Sequence, residues 1–137
     1  MKKLYKKVMV FGVFDRLHEG HDAFLKQARS YGDELIAVVA RDTAVRELKE
    51  KTPHQSEKER INALKENNFV AKAILGDAVQ GSYEVLSASM PDMLCLGYDQ
   101  DGLLSDLQKR MAQGLIRKIP VVQLKAHKPY TLHTSLL

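Results

Sequence analysis

Two histidines three residues apart, His18 and His21, stand in the segment Gly12-Val13-Phe14-Asp15-Arg16-Leu17-His18-Glu19-Gly20-His21. Residues at i and i+3 share a helix face, and this pair falls where a loop enters a helix. The first turn of a helix leaves backbone N–H groups without partners. It also presents the positive end of the helix dipole, so an anion is favoured there. Gly20 removes a side chain between the two histidines and lets a ligand approach the backbone. Two imidazoles and a helix N-terminus aimed at one phosphate suit a phosphoryl group that gains charge during displacement, where stabilisation comes from preorganised donors. A zinc reading fails on spacing, because His-Glu-Gly-His is not His-Glu-x-x-His and no further ligand cluster is evident; no metal ligand is assigned. The turn also lacks the G-x-G-x-x-G pattern of a dinucleotide-binding fold.

Such a loop needs a strand before it and a sheet around it. Five short apolar runs recur along the chain: Val8–Phe11, Leu35–Ala40, Val70–Leu75, Met93–Leu96 and Ile119–Leu124. Nearly continuous apolar runs mark strands covered on both faces. Helical patterns lie between them. Residues 19–31 place Phe24, Leu25 and Ala28 on one stripe, with Gly32 as the expected C-terminal cap. Ser56 opens a second helix with Glu59 at capping-box spacing, and its stripe holds Ile61, Ala63 and Leu64. Further helices fit 81–89, stopped before Pro91, and 101–114, ending near Gly114. The pattern predicts an α/β fold, a Rossmann-like open parallel five-stranded sheet with helices on both faces, as a single domain over 1–137. Ligands bind such sheets at the carboxyl ends of the strands, which singles out 12–21, 41–53, 76–82, 97–101 and 125–135.

Composition narrows the function classes. The chain has 137 residues, a net charge of +4 and one cysteine. A single cysteine excludes an intrachain disulfide framework, and Cys95 within Met93-Leu94-Cys95-Leu96 reads as a buried thiol. No run approaches a membrane span, and no cleavage pattern follows the basic start, so a cytoplasmic setting is expected. The positive charge is uneven. Residues 107–137 carry Lys109, Arg110, Arg117, Lys118, Lys125 and Lys128 with no Asp or Glu. The preceding residues are slightly acidic, which argues against nucleic acid as the partner and for small anionic substrates near the last strand.

The segment Gly12-x-Phe14-Asp15-x-x-His18-x-Gly20-His21 resembles the signature of the cytidylyltransferase-like nucleotidyltransferases. Gly32-Asp33-Glu34-Leu35, Ala40-Arg41-Asp42, Leu75-Gly76-Asp77, Pro91-Asp92 and Leu96-Gly97-Tyr98-Asp99-Gln100 extend the likeness over most of the chain. The set is most similar to archaeal-type FAD synthetases, which adenylylate FMN. Glycerol-3-phosphate cytidylyltransferases and the sugar-phosphate adenylyltransferases of heptose activation share its histidine core. The resemblance implies that an acceptor phosphate attacks the α-phosphorus of an NTP, ATP or CTP, and pyrophosphate leaves, with Mg²⁺ accompanying the NTP. It implies catalytic roles for His18, His21 and Lys49. It further implies nucleotide contacts at Phe11, Gly12, Phe14, Asp15, Gly20, Lys51, Arg60, Gly97, Tyr98, Asp99, Thr134 and Ser135, and a homodimer.

The residues themselves leave some roles open. Lys49 and Lys51 lie in the loop expected after the second strand, where a mobile ammonium can follow a triphosphate; ordinary surface lysines look the same. Arg60 either serves the site or pairs with neighbouring carboxylates. Asp15 either orients a histidine or contacts substrate. His133-Thr134-Ser135 matches the second half of a family Ser/Thr motif for the β- and γ-phosphates, with histidine in place of its first serine. A flavin acceptor needs an apolar slot. Leu103-Leu104 and Met111 either border one or pack in the core. A nucleotide-binding regulatory module without turnover is the non-enzyme alternative.

Overall fold

The structure, a computed structural model, describes residues 5–49, 52–79 and 81–126, apart from the side chains at 48 and 49. The chain runs β1 (Tyr5–Gly12), α1 (Glu19–Arg29), β2 (Gly32–Val39), α2 (Asp42–Lys49), α3 (Glu57–Lys65), β3 (Lys72–Leu75), α4 (Glu84–Ser89), β4 (Met93–Leu96), α5 (Asp101–Ala112) and β5 (Val121–Gln123). The strands form one parallel sheet in the order β3-β2-β1-β4-β5. The order reverses between β1 and β4, where ligands bind in open sheets of this kind. Among the described residues no helix is long and apolar enough to cross a membrane.

The apolar runs become strands because both their faces are covered. On one side Val8, Val10, Leu35, Ala37, Met93 and Cys95 pack with Leu25 and Ala28 of α1 and Leu64 of α3. On the other, Met9, Ile36, Val38, Leu94 and Leu96 pack with Val85 and Leu86 of α4 and Leu107 of α5. Cys95 is fully buried, and burial pushes its thiol up to about 12, so it is a packing residue. Bonds just past the strand ends keep the loops level. Ala40 N donates to Gly12 O at 2.9 Å, Gly76 N to Val39 O at 2.8 Å, and Leu124 N to Leu96 O at 2.7 Å.

Ser56 caps α3 as the sequence predicts. Its hydroxyl accepts from Glu59 N while its own N–H donates to the Glu59 carboxylate. Two expectations are corrected. Residues 42–49 form α2 rather than loop, so Lys49 closes a helix. Its start is locked to α3 by Asp42 N donating to Glu57 Oε1 and Glu57 N donating to Asp42 Oδ2. Gly32 does not cap α1, which ends at Arg29 with Ser30 as its C-cap. It opens β2, where a Cβ would lie 2.5 Å from Val8 Cγ2.

Candidate active site

The loop between β1 and α1 is built so that the two histidines cap the helix they belong to. His18 is the N-cap, with extended backbone, and its Nδ1 accepts from Gly20 N at 3.0 Å. His21 Nδ1 accepts from His18 N at 3.2 Å, the reciprocal bond of a capping box. Each ring therefore uses Nδ1 as an acceptor, and the neutral ring carries its proton on Nε2. The ring centroids lie 4.1 Å apart. Gly20 serves this arrangement directly, since a Cβ there would sit 2.8 Å from His18 Cε1. The missing side chain thus makes room for the His18 ring, and Gly20 also lines the cavity described below. Burial, then the charge of His18, hold His21 below the ordinary histidine value against the opposing pull of Asp22 and Asp15. His21 thus favours the neutral form that caps with Nδ1 and donates with Nε2.

Phe14 and Asp15 set the loop's path. Phe14 and Arg16 both have positive φ, 56° and 52°, conformations that non-glycine residues adopt at a cost and that cluster at functional sites. The buried Phe14 ring lies 6.0 Å from His21 and 6.4 Å from Phe24. Asp15 accepts from His54 N at 2.8 Å and from Gln55 N at 2.9 Å, and Arg16 N donates to Gln55 Oε1 at 2.9 Å. Burial opposes ionisation of Asp15. The two backbone donors, with the charges of His54 and Arg60, outweigh it and hold the carboxyl below its usual range. These bonds give Asp15 a third role beside the two left open: a clamp that fastens the segment before α3 onto the histidine loop.

Arg60 is fully buried. Its Nε donates to Gln55 O at 3.1 Å, its Nη1 to Val13 O and Ala40 O at 2.8 Å each, and its Nη2 meets Asp42 Oδ1 at 2.6 Å. The nucleotide contact expected of it is corrected: these bonds hold the guanidinium beneath the site, where it ties the β1 and β2 loops to α2 and α3.

A cavity of about 970 Å³ opens across the carboxyl ends of the strands. His18, His21, Phe11, Gly12, Phe14, Asp15, Gly20, Gly97, Tyr98 and Asp99 all line it, so most of the sequence-predicted set converges. The Lys49 side chain, Lys51, Thr134 and Ser135 lie outside the described residues. Gln100 fixes the β4 end of the cavity: its Oε1 accepts from Gly97 N at 2.7 Å and its Nε2 donates to Phe11 O at 2.9 Å. Gln123 Nε2 reaches the same loop from β5, 2.8 Å from Asp101 Oδ1. Further lining residues, including His54, Tyr83 and Asp106, were not singled out from sequence, and Arg41 stood there only within Ala40-Arg41-Asp42 without a role. Arg41 Nε donates to Gly76 O at 2.8 Å, and among the described residues its terminal nitrogens have no partner. Its position directly after a predicted strand was the available signal.

The chain matches the cytidylyltransferase-like family over residues 9–135. It is 38% identical to a FAD synthase of Thermococcus sibiricus, over 87% of this chain and 83% of that one. It is 40% identical to a FAD synthase of Aciduliprofundum boonei, over 88% and 79%. Among solved structures, a lipopolysaccharide core biosynthesis protein from Thermoplasma volcanium superposes with a TM-score of 0.81 at 35% identity, covering 90% of this chain and 99% of that one. With the histidine pair, the parallel sheet and the converging loops in place, the chain belongs to the cytidylyltransferase-like family of nucleotidyltransferases.

Proposed function

We propose that this nucleotidyltransferase transfers AMP from ATP to FMN, giving FAD and pyrophosphate. The observation that carries the reading is the reciprocal histidine cap, which leaves two Nε2–H donors at a helix N-terminus bordering a large cavity. The naming of the relatives as FAD synthases supports the choice of substrates.

In the reaction an oxygen of the FMN phosphate forms a bond to the α-phosphorus of ATP. The bond from that phosphorus to the bridging oxygen of the β-phosphate breaks, and its electron pair leaves with pyrophosphate. The attacking phosphate is already anionic and needs no general base. Charge builds on the α-phosphoryl oxygens and the departing oxygen, where preorganised donors do most of the work. His18 and His21 supply those donors. Their Nδ1 atoms are occupied by the backbone, so no reorientation is needed as charge develops. The Gly97–Gln100 loop, braced by Gln100 and Gln123, would receive the nucleoside, with Asp99 as acceptor for ribose hydroxyls. Lys49 and Lys51 would add charge to the triphosphate.

Magnesium would arrive on the triphosphate, whose oxygens and bound waters satisfy its shell. Among the described residues no three His, Cys, Asp or Glu side chains gather to hold a metal. A homodimer acting on small molecules in the cytoplasm completes the proposal.

The test is a matrix of ATP, CTP, GTP and UTP against FMN, glycerol 3-phosphate and sugar phosphates, followed by pyrophosphate release and product mass. FAD from ATP and FMN is expected. A product formed with CTP and glycerol 3-phosphate alone, or with a sugar phosphate alone, would replace the acceptor and nucleotide named here. Nucleotide binding with no turnover in any combination would favour a regulatory module.

A further inference from the structure

Part of the cavity lining belongs to the second face of the sheet and forms an apolar lobe. It lies over the α4–α5 face of the sheet, opposite α1, and is walled by Phe11, Val38, Val79, Tyr83, Val85 and Leu103. Val79 stands at its lip 69% exposed, so its apolar surface is not used in packing. Leu103, Leu104 and Met111 all pack on the core, and of the three Leu103 also borders the lobe.

One wall of the lobe is held unusually firmly. Tyr83, at the start of α4, has φ 51°, a left-handed backbone. Its hydroxyl donates to Asp106 Oδ2 at 2.6 Å, and Arg110 Nε donates to the same oxygen at 2.9 Å. The Arg110 guanidinium also lies over the Tyr83 ring, 5.4 Å from its centroid. Gly81, φ 81°, makes room for it, since a Cβ there would be 2.8 Å from Arg110 Nη2. Burial and the bond to Asp106 raise the Tyr83 phenol, so it remains a donor. Strained backbone persists only where its surroundings over-determine it, and here an ion pair, a hydrogen bond and a ring contact converge on one exposed-edge aromatic.

The chemistry of the walls restricts the occupant. The carboxylates Asp77 and Asp106 border the lobe and disfavour a phosphate within it, while Arg41 at the ends of β2 and β3 and the histidines favour one outside it. An acceptor with an anionic end and a flat, largely apolar ring fits with its phosphate toward the histidines. Aromatic rings gain from stacking against one another beyond the area they bury.

We propose that this lobe is the acceptor-ring subsite, in which the flavin ring packs against Tyr83, and that Asp106 and Arg110 are positioning residues that fix the Tyr83 ring; the inference rests on the FMN reading above. The test is steady-state FAD formation by the full chain, with KM for FMN and for ATP measured separately. Val79→Asp, at an exposed position that the fold does not need, and Tyr83→Ala raise KM for FMN at least about fivefold while KM for ATP moves less than about twofold. Asp106→Ala does the same, and Asp106→Asn, which can still accept from the Tyr83 hydroxyl, restores most of the loss. If wild-type protein makes FAD but Val79→Asp and Tyr83→Ala change KM for FMN by less, or change both KM values equally, the subsite is wrong and the function stands. If wild-type protein makes no FAD from any NTP, the function itself falls, and the subsite with it.

Discussion

An imidazole that accepts a backbone N–H with Nδ1 has one donor left, and both His18 and His21 line the cavity. The same atoms thus start α1 and prepare the site, and substitution can separate the two roles. Asn caps helices well and Gln completes a capping box. His18→Asn and His21→Gln should therefore melt within a few degrees of wild type by circular dichroism, while each loses at least about a hundredfold in turnover, roughly 3 kcal/mol of transition-state stabilisation. His18→Ala should lose the activity and, in addition, about 1 kcal/mol of stability from the cap. Near-normal turnover in the capping variants would remove both histidines from the chemistry. The titration of His21 supplies a second check. Its folded pKa lies below the ordinary 6.5, so the unfolded chain binds more protons between the two values and stability rises with pH there. The contribution is complete above 6.5 and is lost as pH falls through the lower, folded value. The melting temperature should drop as pH falls below 6.5, and His21→Gln should flatten that part of the curve.

At the scale of elements, the site is held from below by Arg60 and from the side by Asp15. Arg60 joins carbonyls of two loops to the Asp42 carboxylate at the head of α2. Removing one partner of such a buried pair costs about 3–5 kcal/mol, so Arg60→Ala should lower the urea midpoint sharply. Arg60→Lys should recover only part, because an ammonium cannot reproduce the planar fork. Unchanged stability with lost nucleotide affinity would instead place Arg60 in the cavity. The strands and α1, α3 and α5 were legible because continuous apolar runs and cap signals are local. Ser56 with Glu59 marked a helix start, and Gly114, φ 74°, marked the end of α5. The helix α2 was not legible: it is short, its 42–49 segment is polar, and its start is fixed by a bond exchange with Glu57 that sequence spacing does not show. Arg60 remained undecided for the same reason, since its acceptors come from residues 13, 40, 42 and 55.

Across the whole molecule, the sheet order β3-β2-β1-β4-β5 places the reversal at β1, and the described parts of the loops expected to matter line one cavity. The uneven charge fits that geometry at one described residue. Lys125, just past β5, lines the cavity, and its carbonyl accepts from Gln27 of α1. Of the other described cations in the segment 107–137, Arg110 pairs with Asp106 and Arg117 donates to Pro91 O at the amino end of β4, away from the cavity, so Lys125 is the charge that draws anionic substrates toward the imidazoles. The substrate pair, by contrast, was not written in composition or periodicity; it came from the likeness of the motifs and is supported by relatives named FAD synthases. The direct measurement is the product formed when purified protein is incubated with ATP, FMN and Mg²⁺, followed by separation of the flavins and by pyrophosphate release. FAD and pyrophosphate in equal amounts from wild type, with His18→Asn folded and at least about a hundredfold slower, is the predicted result. Unchanged FMN with wild-type protein, or FAD formed equally fast by His18→Asn, would contradict it.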